Sequence, residues 1–146
     1  MAYQESPGLA APAEAPSGVV LLVEDDFDVR NAETELLESE ELRVVGAGDG
    51  REALDLLRRG LRPSVIVLDL TMPVMDGWDF RQAQMADRDL KDIPVIVATA
   101  GGFSAEAIRR QFGEAQFLRK PLDPATFLDV VAAYCESGRR AVKAVR

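Results

Sequence analysis

SVIVLDLTMPVMDGW, residues 64–78, combines an apolar run, one acidic residue at the end of that run and a turn. The apolar run predicts a buried strand near 64–69, because short apolar runs bounded by turn residues are typical of strands in parallel sheets. The Asp76-Gly77 pair predicts a turn that leads into a helix near 77–86. A strand that passes directly into a helix is the repeating unit of α/β proteins, so this stretch sets the fold class.

The same alternation of an apolar run with an amphipathic stretch continues on both sides of this segment. The predicted strands lie near residues 18–24, 43–47, 64–69, 94–99 and 115–119, and the predicted helices near 27–39, 50–59, 77–86, 104–112 and 124–136. Five such repeats predict a doubly wound, five-stranded parallel sheet with helices on both faces. In the first helix, the apolar stripe predicted to face the sheet consists of Val29, Ala32, Leu36 and Leu37.

Length and composition predict one domain with two tails. The chain has 146 residues, of which 47% are hydrophobic and 29% are charged, as in ordinary globular proteins. Residues 1–17 are rich in Ala, Pro, Glu and Ser, which predicts a disordered leader. We expect the domain over residues 18–136, followed by a basic C-terminal tail or helix extension over residues 137–146.

Overall charge and missing residue types argue against several classes of function. A net charge of −8 disfavours binding to nucleic acid or to anionic membranes, because phosphate groups attract clustered Lys and Arg. The chain lacks both a long apolar run and the pattern of a signal peptide, so we expect no membrane insertion and a cytoplasmic location. It has no histidine, so any phosphoryl acceptor in it is a carboxylate or a hydroxyl. Its single cysteine, Cys135, lies in an apolar helical stretch and is expected to be an inert thiol.

Acidic residues follow two of the predicted strands at the points where those strands end. VVLLV runs into Glu24, Asp25 and Asp26, and SVIVL runs into Asp69. Because parallel strands end at one edge of the sheet, Asp25 and Asp69 are expected to face one crevice. Carboxylates are the hard oxygen ligands that Mg²⁺ prefers, so Glu24, Asp25 and Asp69 predict a magnesium site. The alternative for the first three acids is that they cap the next helix, and this fits Asp26 best.

Phosphoryl chemistry is the reaction that these strand ends suit. Asp69 beside a metal ion is a candidate nucleophile, since carboxylates form acyl phosphates. Thr99 follows the apolar run PVIVA and Lys120 follows QFLR, and both are candidates to donate hydrogen bonds to phosphoryl oxygens. Taken singly, each has a simpler explanation, because threonine ends many strands and a lysine before proline is usually solvated.

At these residues the chain resembles the receiver domain of two-component response regulators, over about residues 18–136. The matching pieces are LLVEDD at 21–26, LDLTMPVMDG at 68–77, VATA at 97–100 and FLRKP at 117–121. The resemblance implies a (βα)5 flavodoxin-like receiver fold in which Asp69 is the phosphoacceptor for a sensor histidine kinase or a phosphotransfer protein. It also implies Mg²⁺ held by Asp25, Asp69 and the backbone carbonyl of Thr71, with Glu24 acting through water.

The resemblance further implies a switch that changes a protein-binding surface. Thr99 and Lys120 match the residues that bind the phosphoryl group, and Phe117 matches an aromatic residue that turns inward when Thr99 moves. Phe117 has no hydroxyl group, so a hydrogen bond that tyrosine makes at this position is missing. We expect a stand-alone receiver that is not an enzyme and whose signal is read by a downstream protein target.

Two other interpretations stay open on sequence alone. Asp26-Phe-Asp28-Val after an apolar strand resembles the nucleophile motif of Mg²⁺-dependent aspartyl-phosphatases of the haloacid dehalogenase type. That interpretation leaves LDLTMPVMDG without a role. A phosphorylation-independent, receiver-like scaffold is the other alternative, and the retention of every site residue argues against it.

Overall fold

The structure, a computed structural model, describes the backbone of residues 18–145 and the side chains of residues 18–135. Its elements are β1 (Val19–Val23), α1 (Phe27–Glu38), β2 (Arg43–Ala47), α2 (Gly50–Arg58), β3 (Val65–Leu68), α3 (Gly77–Met85), β4 (Val95–Thr99), α4 (Ala105–Phe112), β5 (Gln116–Arg119) and α5 (Pro124–Val145). The strands are parallel and lie in the order β2-β1-β3-β4-β5. The predicted doubly wound sheet is therefore confirmed. The predicted leader, residues 1–17, lies outside the described residues.

Helices cover the sheet from both sides, so its three inner strands are buried on both faces. Every residue of β1, β3 and β4 is buried, whereas the edge strands β2 and β5 keep exposed positions. Neighbouring residues of β1 enter two hydrophobic clusters. Leu21 packs with α2, α3 and α4 in the first cluster, and Leu22 packs with α1, α5 and the buried Cys135 in the second. A strand covered on both faces is apolar at every position, and this explains the continuous runs in the sequence.

Side chains that precede the helices cap their free backbone N–H groups. Asp26, Asp49, Asp76 and Ser104 each accept a hydrogen bond from the N–H three residues later. At the start of α5, Asp123 accepts one from the N–H of Thr126 at 3.0 Å. The predicted capping role of Asp26 is thereby confirmed, with its Oδ1 3.1 Å from the nitrogen of Val29.

The turn between β3 and α3 brings two stretches of backbone into direct contact. A Cβ atom at Gly77 would lie 2.5 Å from the carbonyl oxygen of Asp69 and 2.8 Å from Cα of Leu70. Such distances require that the backbone move, so glycine is needed here for close approach. The N–H of Gly77 donates to the carbonyl of Leu70 at 3.1 Å, which closes the turn. Asp69 is thus held between the end of a buried strand and the start of a packed helix.

One detail of the helices agrees with a predicted alternative, and another differs from the prediction. The backbone of α5 stays helical through Val145, as the predicted helix extension beyond residue 136 requires, because Arg, Ala and Lys are strong helix formers and no proline interrupts them. Among the described residues, no helix has both the length and the apolar character of a membrane span. In α1, Ala32 is exposed and does not join the buried stripe with Leu37. The inward face passes through Glu33 instead.

Candidate functional site

The carboxyl ends of β1, β3, β4 and β5 bring five of the predicted site residues to one edge of the sheet. Since β1 and β3 are neighbours, the chain leaves both strands side by side, and the N–H of Asp69 donates to the carbonyl of Val23 at 3.1 Å. On the other side of β3, the N–H of Lys120 donates to the carbonyl of Thr99 at 3.1 Å. Residues from widely separated parts of the sequence therefore share one crevice, as the topology predicts.

Three carboxylates form what we call the acidic site: Glu24, Asp25 and Asp69. One oxygen from each lies within 4.8 Å of the other two. Glu24 and Asp69 are buried, with 3% and 8% of their surface exposed, while Asp25 is open to solvent. Three hard oxygen donors with one open side suit a cation such as Mg²⁺, which keeps several of its water ligands.

The two carboxylate oxygens of Asp69 have different surroundings. Oδ1 accepts a hydrogen bond from the backbone N–H of Thr71 at 3.2 Å. Oδ2 lies 3.6 Å from Nζ of Lys120. A backbone donor on one side and a cation on the other hold the side chain in one orientation at the end of β3. This pair of contacts pre-positions the carboxylate for chemistry at the open side of the site.

Lys120 links β5 to the acidic site through its ammonium group. Nζ is hydrogen-bonded to Oε1 of Glu24, and both side chains are largely buried. Burial by itself lowers the pKa of Lys120, but the hydrogen bond that Lys120 donates to Glu24 and the negative charges of Asp69 and Glu24 outweigh it, so the pKa is raised. Burial raises the pKa of Glu24, and the hydrogen bond from Lys120 opposes that rise. The ammonium group therefore stays protonated and faces two carboxylates at once.

The two residues of the predicted switch lie on adjacent strands. Thr99 ends β4 and is fully buried, and its Oγ1 accepts a hydrogen bond from the N–H of Gly101 at 3.3 Å. Phe117 lies on β5 beside Val97 and is half-buried against the first cluster. The guanidinium of Arg119 lies 5.3 Å from the centre of the Phe117 ring. In the register of the two strands Thr99 lies beside Arg119, so it is two positions away from the level of Phe117.

An aromatic contact that the sequence did not predict connects the β4–α4 loop, residues 100–104, to α3. A Cβ atom at Gly101 would lie 2.4 Å from the ring of Phe103, so this ring lies directly over the glycine. The Phe103 ring meets Trp78 edge-on at 5.3 Å between centroids, and Trp78 also lies 5.6 Å from Phe112. Arg81 reinforces the contact by donating to the carbonyl of Phe112 at 3.4 Å. The loop after Thr99 is thereby packed against α3.

Glu33 is a charged residue near the site that sequence reasoning missed. It lines a cavity together with Lys120, between α1 and the β5–α5 loop. Burial raises the pKa of its carboxyl group from 4.5 to about 7; Lys120 opposes that rise, and the charges of Glu24 and Asp69 add to it. The signal in the sequence is an acidic residue four positions from both Val29 and Leu37, on the face expected to be apolar.

Comparison with known proteins identifies relatives of the chain. The response regulator receiver domain family matches residues 20–132. The chain is 36% identical to response regulator Rre1 from Synechocystis sp. over 107 residues, which cover 72% of this chain and 46% of that protein. It is 30% identical to the polar-differentiation response regulator DivK from Brucella anthropi over 116 residues, which cover 79% of this chain and 94% of that protein. The chain thus spans about half of one relative and nearly all of the other.

A solved structure with the same fold carries a metal ion. The receiver domain of sensor histidine kinase PA1611 from Pseudomonas aeruginosa PAO1 superimposes with a TM-score of 0.72 at 26% identity, over 81% of this chain and 97% of that one. A magnesium ion is coordinated in the active site cleft of that protein.

Proposed function

The chain belongs to the response regulator receiver domain family of two-component signalling, and we propose that it accepts a phosphoryl group on Asp69 in a Mg²⁺-dependent reaction. The donor is a histidine kinase or a phosphotransfer protein. The observation that carries the proposal is the position of the Asp69 carboxylate, which lies among Glu24, Asp25 and the ammonium of Lys120. As a receiver domain, the chain is a signalling phosphoacceptor and not a catalytic enzyme.

The donor set of the acidic site supports Mg²⁺ as the cofactor. Asp25, Asp69 and the backbone carbonyl of Thr71 would hold the ion, with Glu24 acting through water. Among the described residues no backbone N–H donates to the Thr71 carbonyl, so its oxygen is available to a cation. When bound, Mg²⁺ neutralises negative charge that the carboxylates and the incoming phosphoryl group bring together. The solved PA1611 receiver domain, with magnesium in its cleft, supports this assignment.

Phosphoryl transfer to Asp69 needs a nucleophile and positive charge around the phosphoryl oxygens. An Asp69 oxygen attacks the phosphorus of a phosphohistidine on the partner, the P–N bond breaks, and its electron pair returns to the imidazole. The N–H of Thr71 keeps Oδ1 in place during the attack. The Lys120 ammonium and the Thr99 hydroxyl then donate to phosphoryl oxygens, so their contribution is electrostatic.

Phosphorylation acts on other proteins by changing a surface. When the Thr99 hydroxyl turns toward the phosphoryl group, it leaves space that the half-buried ring of Phe117 fills. The result is a two-state packing change that one local charge biases. The face that changes comprises α4, β5 and α5, and a downstream protein target reads it.

Intact-mass spectrometry with acetyl phosphate and Mg²⁺ tests the phosphoacceptor. The wild type should gain one phosphate, which hydroxylamine removes, and Asp69→Asn should gain none. Asp26→Asn is the matched control, because asparagine also caps helices and the change removes one charge beside the site. It should be phosphorylated like the wild type.

Each alternative has its own outcome in this experiment. Equal phosphate uptake by Asp69→Asn would refute the assigned residue. No uptake by the wild type would favour the scaffold, and repeated turnover of a generic phosphatase substrate that Asp26→Asn abolishes would favour the haloacid dehalogenase type.

A further inference from the structure

Helix α1 carries a carboxylate on the face that packs against the rest of the domain. Val29, Glu33 and Leu37 follow one another at intervals of four residues, so they share one face of the helix. Leu37 is fully buried in the second cluster, and Val29 and Glu33 are half-buried. Among the described residues, no hydrogen bond or salt bridge is made by the Glu33 carboxylate. Its charge therefore has no direct partner on α1.

A cavity of about 340 Å³ lies between this carboxylate and Lys120, and both residues line it. Its walls are mainly apolar and come from α1, through Val29 and Leu36, and from the chain after β5, through Leu122 and Phe127. The residues with charged side chains that line it are Glu33 and Lys120. Beside such an apolar lining a charge interacts more strongly with its neighbours than it does in bulk water.

The Lys120 side chain therefore lies between carboxylates on two sides. Glu24 and Asp69 face it from the ends of β1 and β3, and Glu33 faces it from α1. A lysine side chain is long and flexible, so its ammonium group can exchange one carboxylate for another without movement of the backbone. If a bound cation engaged Glu24, the ammonium group of Lys120 would be left with the phosphoryl group on Asp69 and with Glu33 as its anionic neighbours.

We propose that Glu33 is a positioning residue that draws the ammonium group of Lys120 toward the cavity and so weakens its contact with the phosphoryl group on Asp69. This inference rests on the proposed function. Ionised Glu33 slows phosphorylation and protonated Glu33 does not. The charged groups that act on the Glu33 carboxylate are Glu24 after β1, Asp69 after β3 and Lys120 after β5. The fraction of Glu33 that is protonated therefore depends on the charges of these three residues.

The test compares Glu33→Gln with the wild type and with Glu35→Gln. Glu35 is an exposed acid on the same helix, so its replacement removes the same net charge at a distance from the cavity. Initial rates of phosphorylation by phosphoramidate with saturating Mg²⁺ are measured by intact mass from about pH 6 to about pH 8.5, a range that spans the titration of a buried carboxyl group. At each pH the rate of the variant is divided by the rate of the wild type, because the protonation of the phosphate donor affects both rates equally and so drops out of the ratio.

Glu33→Gln should react about five-fold faster than the wild type at the alkaline end, as expected for one charge interaction in a partly buried site, and at the same rate at the acid end. Glu35→Gln should follow the wild type throughout. Equal rates for Glu33→Gln and the wild type at the alkaline end, or the same acceleration in Glu35→Gln, would overturn the proposal. A structural role of Glu33 alone does not produce a ratio that changes with pH.

A second readout needs no phosphorylation. The chain has three lysines, so the ¹⁵N shift of Lys120 Nζ can be assigned by substitution and followed through its non-exchanging Cε protons. With Mg²⁺ present, this shift should follow the titration of the Glu33 carboxyl group, whose pKa is raised by burial. The transition should vanish in Glu33→Gln and persist in Glu35→Gln. A wild type that takes up no phosphate refutes the proposed function alone, and a Lys120 shift that is the same in Glu33→Gln and wild type refutes the positioning role.

Discussion

Replacing Glu33 by glutamine should change how the stability of the fold depends on pH. Burial raises the pKa of the Glu33 carboxyl group from 4.5 to about 7. A carboxyl group with a raised pKa favours the folded state while it is protonated, so its contribution is complete below pH 4.5 and is lost as pH rises through about 7. The wild type should therefore lose stability relative to Glu33→Gln within this window and should lose no more above it.

The pKa change sets the size of this effect. A change from 4.5 to about 7 corresponds to about 3 kcal/mol of unfolding free energy, at ~1.4 kcal/mol for each pH unit. Glu33 is only half-buried, and solvent screening reduces the value to about 2 kcal/mol. Glutamine has the shape of a protonated glutamate, so the variant should match the wild type near pH 4.5 and exceed it by about 2 kcal/mol near pH 8.

Urea unfolding followed by circular dichroism measures this difference. For a domain of this size the unfolding free energy changes by about 1–3 kcal/mol per molar urea, so the midpoints should separate by about 1 M near pH 8. Glu35→Gln controls for net charge and should stay within about 0.5 kcal/mol of the wild type at every pH. A difference between Glu33→Gln and the wild type that is constant from acid to alkaline pH would refute the argument from burial.

Three further predictions follow from the site and its support. Asp25→Asn should raise the melting temperature in chelator, because it relieves repulsion among the carboxylates worth about 0.5–1 kcal/mol. The same variant should be stabilised less than the wild type by millimolar Mg²⁺, and thermal scans with and without Mg²⁺ measure the two effects. Gly77→Ala should destabilise the fold by about 3 kcal/mol in urea unfolding, because its Cβ meets the Asp69 carbonyl, and an unchanged midpoint would contradict the packing of that turn. Thr99→Ala should still take up phosphate but lose most beryllofluoride-induced amide shifts around Phe117 in NMR spectra; unchanged shifts would disprove the switch.

The alternation of strands and helices and the convergence of the site were predictable because both follow from local rules. VIVL before Asp69 is apolar throughout because helices cover both faces of the sheet. The buried strand is therefore recognisable in the sequence as a continuous apolar run. The meeting of Asp25 with Asp69 follows from parallel strands that end at one edge. The turn at Gly77 and the capping role of Asp26 could be predicted from the sequence, because turns and helix starts accept few residue types.

The parts that were not predictable depend on contacts between distant residues. The rotation of α1 decides whether Ala32 or Glu33 faces inward, and a stripe that contains a small residue such as alanine does not fix that rotation. The position of Phe103 over Gly101 is set by the path of a loop, which no periodicity records. The pairing of Lys120 with Glu24 is a choice between two carboxylates, and only their distances settle it.

The aromatic contact between α3 and the β4–α4 loop has a practical consequence. Trp78 is the one tryptophan of the chain, and its indole lies edge-on against Phe103, four residues after Thr99. Indole emission responds to the polarity and packing of its surroundings, so any displacement of this loop changes the fluorescence of the whole protein. The native chain thus carries its own optical reporter, and stopped-flow fluorescence can time the movement of the loop without an attached dye.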